Sequence, residues 1–277
     1  MSVSISAADV NKLRQLTGAG MMDCKKALTE AGGDFEGAID LLRKKGQKIA
    51  ANRADRTTTE GAAIAKTADN TTGVVFVLSC ETDFVAKNAD FVAFANEIAD
   101  LALAHKPATV EELLNLSMNG STLSEQLVAQ VGKIGEKIEV VQYSLLQAEL
   151  VVPYIHAGNR VGVLVSMSKN SAKLYDAGKD ICMQIAAMSP VAVDESEVSE
   201  ATRQKELEIG RERAIADGKP EALADKIAQG ALQKFLKDNT LLNQLFVKDS
   251  NVTIRQFLAS VDKEASILAF QRAATGR

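Results

Sequence analysis

Two short apolar runs decide how this chain folds: GVVFVLS at residues 73–79 and VGVLVSMS at residues 161–168. Each is rich in Val, too short for an ordinary helix and bounded by turn residues, which is the signature of a β-strand. A second strand-like stretch precedes each run. Residues 62–67 lead into the turn Asp69-Asn70-Thr71-Thr72, and residues 150–155 lead into His156-Ala157-Gly158-Asn159-Arg160. A helical pattern follows each run. The first carries Phe91, Phe94, Ile98 and Leu101 and ends at Lys106-Pro107; the second carries Ile181, Ile185 and Met188 and ends at Ser189-Pro190. The same grammar recurring after about 90 residues predicts an α+β fold with two related antiparallel hairpin-plus-helix modules packed as a pair.

Outward from these runs the chain divides. Residues 1–46 predict three short helices. Ser6 and Asp9 form a capping-box pattern, with Val10, Leu13 and Leu16 at helical spacing behind it. Thr17-Gly18-Ala19-Gly20 breaks that helix, and Gly32-Gly33 ends a second. Asp34 caps a third, with Phe35, Ala38, Ile39 and Leu42 on one face, Arg43-Lys44-Lys45 at its C-terminal end and Gly46 as its stop. A unit of this size has too slight a core to be very stable alone. Residues 47–60 are polar and basic and predict a linker. The first core module then spans 61–146, and the second spans 147–194 and 248–277, with a helix around 253–257 and a last strand around 267–270. Residues 195–247 predict an inserted antiparallel helical hairpin turning at Asp217-Gly218-Lys219-Pro220. Its apolar seam is thin: Ala201, Ile209 and Ile215 on one arm, Leu223, Ile227, Ala231 and Phe235 on the other. Little to bury predicts an arm that projects from the body.

Composition narrows the function. Hydrophobic residues make up 46% of the 277, enough for a real core, but only 4% are aromatic and there is no Trp. A formal charge of −4 disfavours a broadly basic nucleic-acid binder. The one basic stretch, residues 43–56, holds six Arg or Lys against one Asp but no interleaved aromatic to stack bases. Three widely spaced cysteines, Cys24, Cys80 and Cys182, form no CxxC pair, so neither a zinc site nor a disulfide framework is indicated. There is no basic-then-apolar leader and no apolar run of membrane-spanning length. The expected compartment is the cytoplasm.

Catalytic chemistry finds no constellation. His105 lies at a helix end beside Lys106, and His156 at a hairpin tip. Cys80 has no histidine in its local sequence, and such a cysteine ordinarily packs. Neither a GxxxxGK[ST] loop nor GxGxxG occurs, so nucleotide binding by those motifs is not expected. What remains is a projecting hairpin, a three-helix appendage and a short acidic turn bearing Phe84. These suit a protein that binds proteins.

Three stretches sharpen this. LRQLTGAGMMDCKKAL (residues 13–28) and CETDFVAKNADF (residues 80–91) resemble the two hallmark stretches of the bacterial elongation factor Ts family, and HAGNRVGVLV (residues 156–165) is similar to its third. Order and spacing agree, and the resemblance covers nearly the whole chain. It implies a guanine-nucleotide exchange factor for elongation factor Tu, acting by binding and with no covalent chemistry. It implies a ubiquitin-associated type N-terminal domain, a two-part core and a coiled-coil hairpin. The implied tip is Thr82, Asp83, Phe84 and Val85, with Asp83 and Phe84 reaching the partner's GTPase domain near its magnesium and phosphate site. Arg14, Met21 and Met22 match the family's N-terminal contact, and His156 falls in the core segment that faces the partner's third domain. No catalytic residue, resident metal, cofactor, bound nucleotide, nucleic acid or membrane is implied. Two positions depart from the family pattern: Glu81 stands where Gln is frequent, and the chain ends at Arg277 without the C-terminal helical module of some members. Without the resemblance, Phe84 would be read as core, since large apolar residues are usually inside. Met21 and Met22 would be read as gap-fillers and Arg14 as a solvated helix residue. The rival function is a non-catalytic adaptor that binds through the three-helix domain.

Overall fold

Three helices open the computed structural model, which describes residues 5–276. They are α1 (Ala7–Thr17), α2 (Met21–Glu30) and α3 (Phe35–Asn52). The Ser6–Asp9 capping box forms, and Asp34 accepts from the Gly37 amide at the head of α3. Val10, Leu13, Cys24, Ala27, Leu28 and Ala38 make a small core. Leu16 does not join it and is 64% exposed. At 3.6 residues per turn, a residue six positions after Val10 lies about 120° away from it, off the buried stripe.

The first half of the body follows as β1 (Glu60–Ala68), β2 (Thr72–Cys80), α4 (Asp83–Ala86), α5 (Ala89–His105), α6 (Val110–Leu114), β3 (Ser117–Met118), β4 (Ser121–Thr122), α7 (Leu123–Ile134) and β5 (Glu139–Gln147). Here the linker expectation needs correction. Gly46 does not stop α3, which runs on to Asn52 and leaves Arg43-Lys44-Lys45 in mid-helix. The glycine serves a helix crossing instead. Gly46 is buried against α7, and a Cβ on Gly132 would stand 2.9 Å from the Gly46 Cα. Closeness of that kind outweighs the modest helix penalty of glycine.

The second half comprises β6 (Leu150–Ile155), β7 (Val161–Met167), α8 (Ala172–Met188), α9 (Glu200–Ala216), α10 (Glu221–Asn239), β8 (Leu245–Phe246), β9 (Asp249–Thr253), α11 (Ile254–Val261) and β10 (Ile267–Ala274). The molecule is thus mixed helix and antiparallel sheet. Its two main sheets have the orders β1-β2-β5 and β6-β7-β10, each centred on one of the apolar runs.

That centring explains the runs. Successive strand residues face opposite ways. Val74, Phe76 and Leu78 pack in one core cluster with Phe91, Phe94 and Ile98 of α5, while Val75 and Val77 face the other sheet. Val163, Val165 and Met167 likewise pack with Leu174, Ile181 and Ile185 of α8, and Leu164 lies between the sheets. Both faces of each central strand are covered, so neither can alternate with polar residues. The sheets meet closely: a Cβ on Gly73 would fall 2.7 Å from Val151 Cγ1. Backbone bonds join them, from Val151 N to Asn70 O at 2.6 Å and from Ala63 N to Asn159 O at 2.7 Å. At a bulge in β5, Gln142 takes a positive φ and its amide both donates to and accepts from the Ala274 backbone at 2.9 Å.

The hairpin α9–α10 forms as expected, but on a different seam. Gly210, Ala214, Ala224, Ala228, Leu232 and Leu236 are buried, whereas Ile209, Ile215 and Leu223 are roughly half exposed and Ala201 and Ala231 are exposed. Small residues let the two backbones approach along the outer part of the hairpin, Leu232 and Leu236 fill its foot, and Ile209, Ile215 and Leu223 turn outward. Leu241 and Phe246, expected on the hairpin, are buried in the α8 core.

Candidate functional site

β2 leaves the sheet at Cys80, opposite Glu60 of β1, and the chain turns through Glu81 and Thr82 into the single turn of α4. Thr82 holds the N-cap position with φ −123° and ψ 153°. An N-cap hydroxyl ordinarily accepts from the helix's own amides. This one makes no such bond. Its Oγ1 donates to Glu136 Oε1 at 2.6 Å, and the amides of Glu81 and Thr82 both donate to Glu136 Oε2 at 3.0 Å. One carboxylate, from the loop between α7 and β5, takes three donors of the turn. Bonds to an ionised acceptor are stronger than neutral ones.

Glu81 is held in its turn. Its Oε1 accepts from the Lys137 amide and from Arg53 Nη1, each at 2.7 Å. Burial alone would raise its pKa. The Lys137 amide, Arg53 and the charge of Arg56 outweigh burial and hold the carboxyl below the usual range. Under the turn, the Thr82 carbonyl accepts from Cys80 Sγ and from the Ala86 amide, both at 3.2 Å.

With its base fixed, α4 presents two sides. Ala86 is buried and Val85 packs half-buried against the α5 core. Phe84 is 84% exposed, while Phe91 a few residues on is 3% exposed. The chain had a core at hand and left Phe84 out of it. Asp83 beside it accepts from Lys87 Nζ at 2.6 Å; that bond foremost, with the Lys87 charge and a contribution from Arg160, holds its carboxyl below the ordinary range.

The turn bearing His156 lies near this end of the sheets. Arg160 pairs with Glu60 at 2.9 Å, and Glu60 stands opposite Cys80. His156 is exposed, with Tyr154 Oη 3.0 Å from its Nδ1. Arg14, Met21 and Met22 do not belong to this cluster. They are exposed on α1 and α2, as is Leu16. Their covalent route to the tip is α3, whose C-cap residue is the Arg53 that grips Glu81.

Cys80 has the environment of a packed thiol. It is fully buried, and its pKa is pushed up to about 12, by burial first and then by the Glu136 carboxylate. A nucleophile needs the opposite shift. Among the described residues, no group of three or more His, Cys, Asp and Glu is arranged to hold a metal ion. No helix of the described chain is long and apolar enough to cross a membrane. Within the basic stretch, Lys45 pairs with Asp23 and Arg53 with Glu81.

The resemblance named Thr82, Asp83, Phe84 and Val85, which the structure places on one turn, but neither it nor the residue pattern named Glu136, Arg53 or Lys137, which hold that turn. These lie 28 to 56 residues away along the chain, with no local pattern pointing to the turn.

Comparison with known proteins identifies the family. The family model described as "Elongation factor TS" matches residues 81–277. The chain is 52% identical to the elongation factor Ts of Christiangramia forsetii, over 98% of its own length and 99% of that protein. It is 53% identical to that of Amoebophilus asiaticus over 99% and 100%. It is 52% identical to that of Cytophaga hutchinsonii over 97% and 98%.

Proposed function

The chain belongs to the elongation factor Ts family of translation elongation factors, and from that premise we propose that it binds GDP-bound elongation factor Tu and releases the nucleotide by driving Phe84 into the partner. The observation that carries the reading is a Phe 84% exposed on a helical turn whose base is fixed by Glu136, Arg53 and Lys137.

A GTPase holds GDP through magnesium and backbone amides around the phosphates, a site sensitive to small shifts. Burying Phe84 in a cleft that exists only when two partner helices part contributes about 2–3 kcal/mol to parting them. Magnesium ligation then weakens, GDP leaves and GTP loads. Thr82 and Val85 brace the tip and Asp83 accompanies Phe84. Thousandfold acceleration requires about 4 kcal/mol off the barrier, so Phe84 does not act alone. Arg14, Met21 and Met22 on an N-terminal domain of ubiquitin-associated type, whose last helix α3 runs to Asn52, supply part of the remaining grip. His156 on the second core module, which also takes in Leu241 and Phe246, and the coiled-coil hairpin α9–α10 supply the rest. No side chain takes part in a covalent step, and no cofactor or bound nucleotide of its own is needed. By linkage, nucleotide on the partner weakens this protein's binding by the factor with which this protein weakens nucleotide. The site of action is the cytoplasm. The adaptor alternative has no observation in its favour.

The test is release of a fluorescent GDP analogue from elongation factor Tu in excess unlabelled GDP, with catalytic amounts of this protein. Turnover by the natural chain and slow release by a folded Phe84→Ala variant are expected. Equal rates from the two would remove Phe84 from the mechanism.

A further inference from the structure

The tip is held from outside its own segment, and that arrangement has a functional consequence. We infer that Glu136 is a positioning residue for nucleotide release: it never touches the partner's nucleotide site but sets the direction in which Phe84 is presented. The inference rests on the reading of Thr82–Val85 as the partner contact.

Three observations carry it. First, Glu136 takes every donor of the entry to α4 that faces it, namely the amides of Glu81 and Thr82 and the Thr82 hydroxyl. Second, those bonds replace the usual cap: the Thr82 side chain is turned away from the α4 amides, so the helix start takes its orientation from Glu136. Third, Phe84 is two residues beyond Thr82 on a helix of four residues. So short a helix cannot keep its direction by its own hydrogen bonds. The carboxylate is also well supported. Gly135 caps α7 in the left-handed conformation immediately before it, and Lys137, immediately after it, donates its amide to Glu81. Glu81 and Glu136 therefore form a reciprocal clasp across the α7–β5 loop, with Arg53 supplying positive charge.

Substitution separates positioning from folding. Glu136→Gln keeps the side chain's length and one acceptor oxygen, but places an amide donor where donors already converge. Glu136→Ala removes all three bonds. In the exchange assay, with protein concentration varied, the maximal release rate per complex is expected to fall about tenfold for Ala. A smaller fall is expected for Gln, with half-saturating concentration moved less than twofold in either. The Glu81 and Thr82 amides should exchange with solvent faster in both variants, with the melting temperature lowered less by Gln than by Ala. In a Phe84→Ala background, Glu136→Gln should slow release no further, because its effect passes through the phenyl ring.

A wild-type release rate in Glu136→Gln with demonstrably faster amide exchange overturns the inference. So does an undiminished Glu136→Gln effect in the Phe84→Ala background. Failure of the underlying reading looks different, because Phe84→Ala alone would then release GDP at the natural rate. If Glu136→Ala does not fold, the Gln variant and its double mutant still decide.

Discussion

Arg53 Nη1 lies 2.7 Å from Glu81 Oε1, so the residue that ends α3 grips the residue that begins the tip. The three N-terminal helices and the Phe84 turn are thereby joined by an ion pair as well as by the chain. The same Glu81 oxygen also holds the α7–β5 loop. A carboxylate accepts from the guanidinium and from the Lys137 amide at once.

The pair makes a pH prediction. The folded-state pKa of Glu81 is depressed. Its contribution is therefore fully present above the unfolded value of about 4.3 and is lost as pH falls through the lower folded value. Arg53→Ala should raise the Glu81 pKa in a carboxyl NMR titration. At neutral pH the substitution should cost no more than about 1 kcal/mol, because Arg53 is partly exposed. The difference in stability should vanish once Glu81 is protonated in both proteins. An unmoved Glu81 titration would show that the Lys137 amide and Arg56 set the pKa without Arg53.

The cysteines provide a second check. Cys24, Cys80 and Cys182 are all buried free thiols, and burial pushes Cys80 up to about 12 and Cys182 higher still. A disulfide reagent at about pH 8 should label none of them in the native protein and all three after denaturation. Fast labelling of native Cys80 would mean that the end of β2 opens, and that the clasp around Thr82 is looser than its bonds indicate.

What could be read from sequence followed from how many faces an element buries. β6 and β7 were legible to the residue, because each is an unbroken apolar run bounded by turn residues, and β7 is covered on both sides. β5 was not: most of its residues are only half-buried, and the bulge at Gln142 breaks the alternation by which a strand is recognised. The hairpin helices were legible from their turn, but the seam was not. Large apolar residues suggested Ile209, Ile215 and Leu223, but the structure buries Gly210, Ala214, Ala224 and Ala228 there, with Leu232 and Leu236 toward the foot, where the expected Phe235 does pack. The tip could be proposed only from the resemblance, which the consecutive stretch at residues 80–91 carries. Glu136 was invisible because its meaning arises only when β5 pairs with β2 and returns the α7–β5 loop to the end of β2.

Glycine at the α3–α7 crossing gives a stability prediction. A Cβ at Gly132 would meet the Gly46 Cα at 2.9 Å, which is backbone and cannot swing aside. Gly132→Ala should destabilise by about 1–3 kcal/mol in urea unfolding, as overpacked sites do. Gly230, in mid-α10 with nothing within 4 Å of its would-be Cβ, is the control. There Ala should stabilise by about 0.5–1 kcal/mol. The same substitution thus carries opposite signs at two helical glycines. Equal effects would mean that α3 and α7 do not touch through Gly46.

The hairpin should be removable. Its ends meet at the foot, where Ala192 and Thr240 form a bridge and Leu241 N donates to Ala192 O at 2.9 Å, so a short link can replace residues 199–239. At its foot Leu232 and Leu236 pack with Ala192 and Val198 in a small cluster separate from the α5 and α8 cores. The α5 and α8 cores use no residue from that span. The shortened protein should keep its sheet signal and unfold cooperatively. In the release assay it should need more protein for half-saturation while approaching the same maximal rate, because Phe84 and its clasp are untouched. A lower maximal rate with unchanged half-saturation would show that the hairpin takes part in opening the partner and does more than hold it.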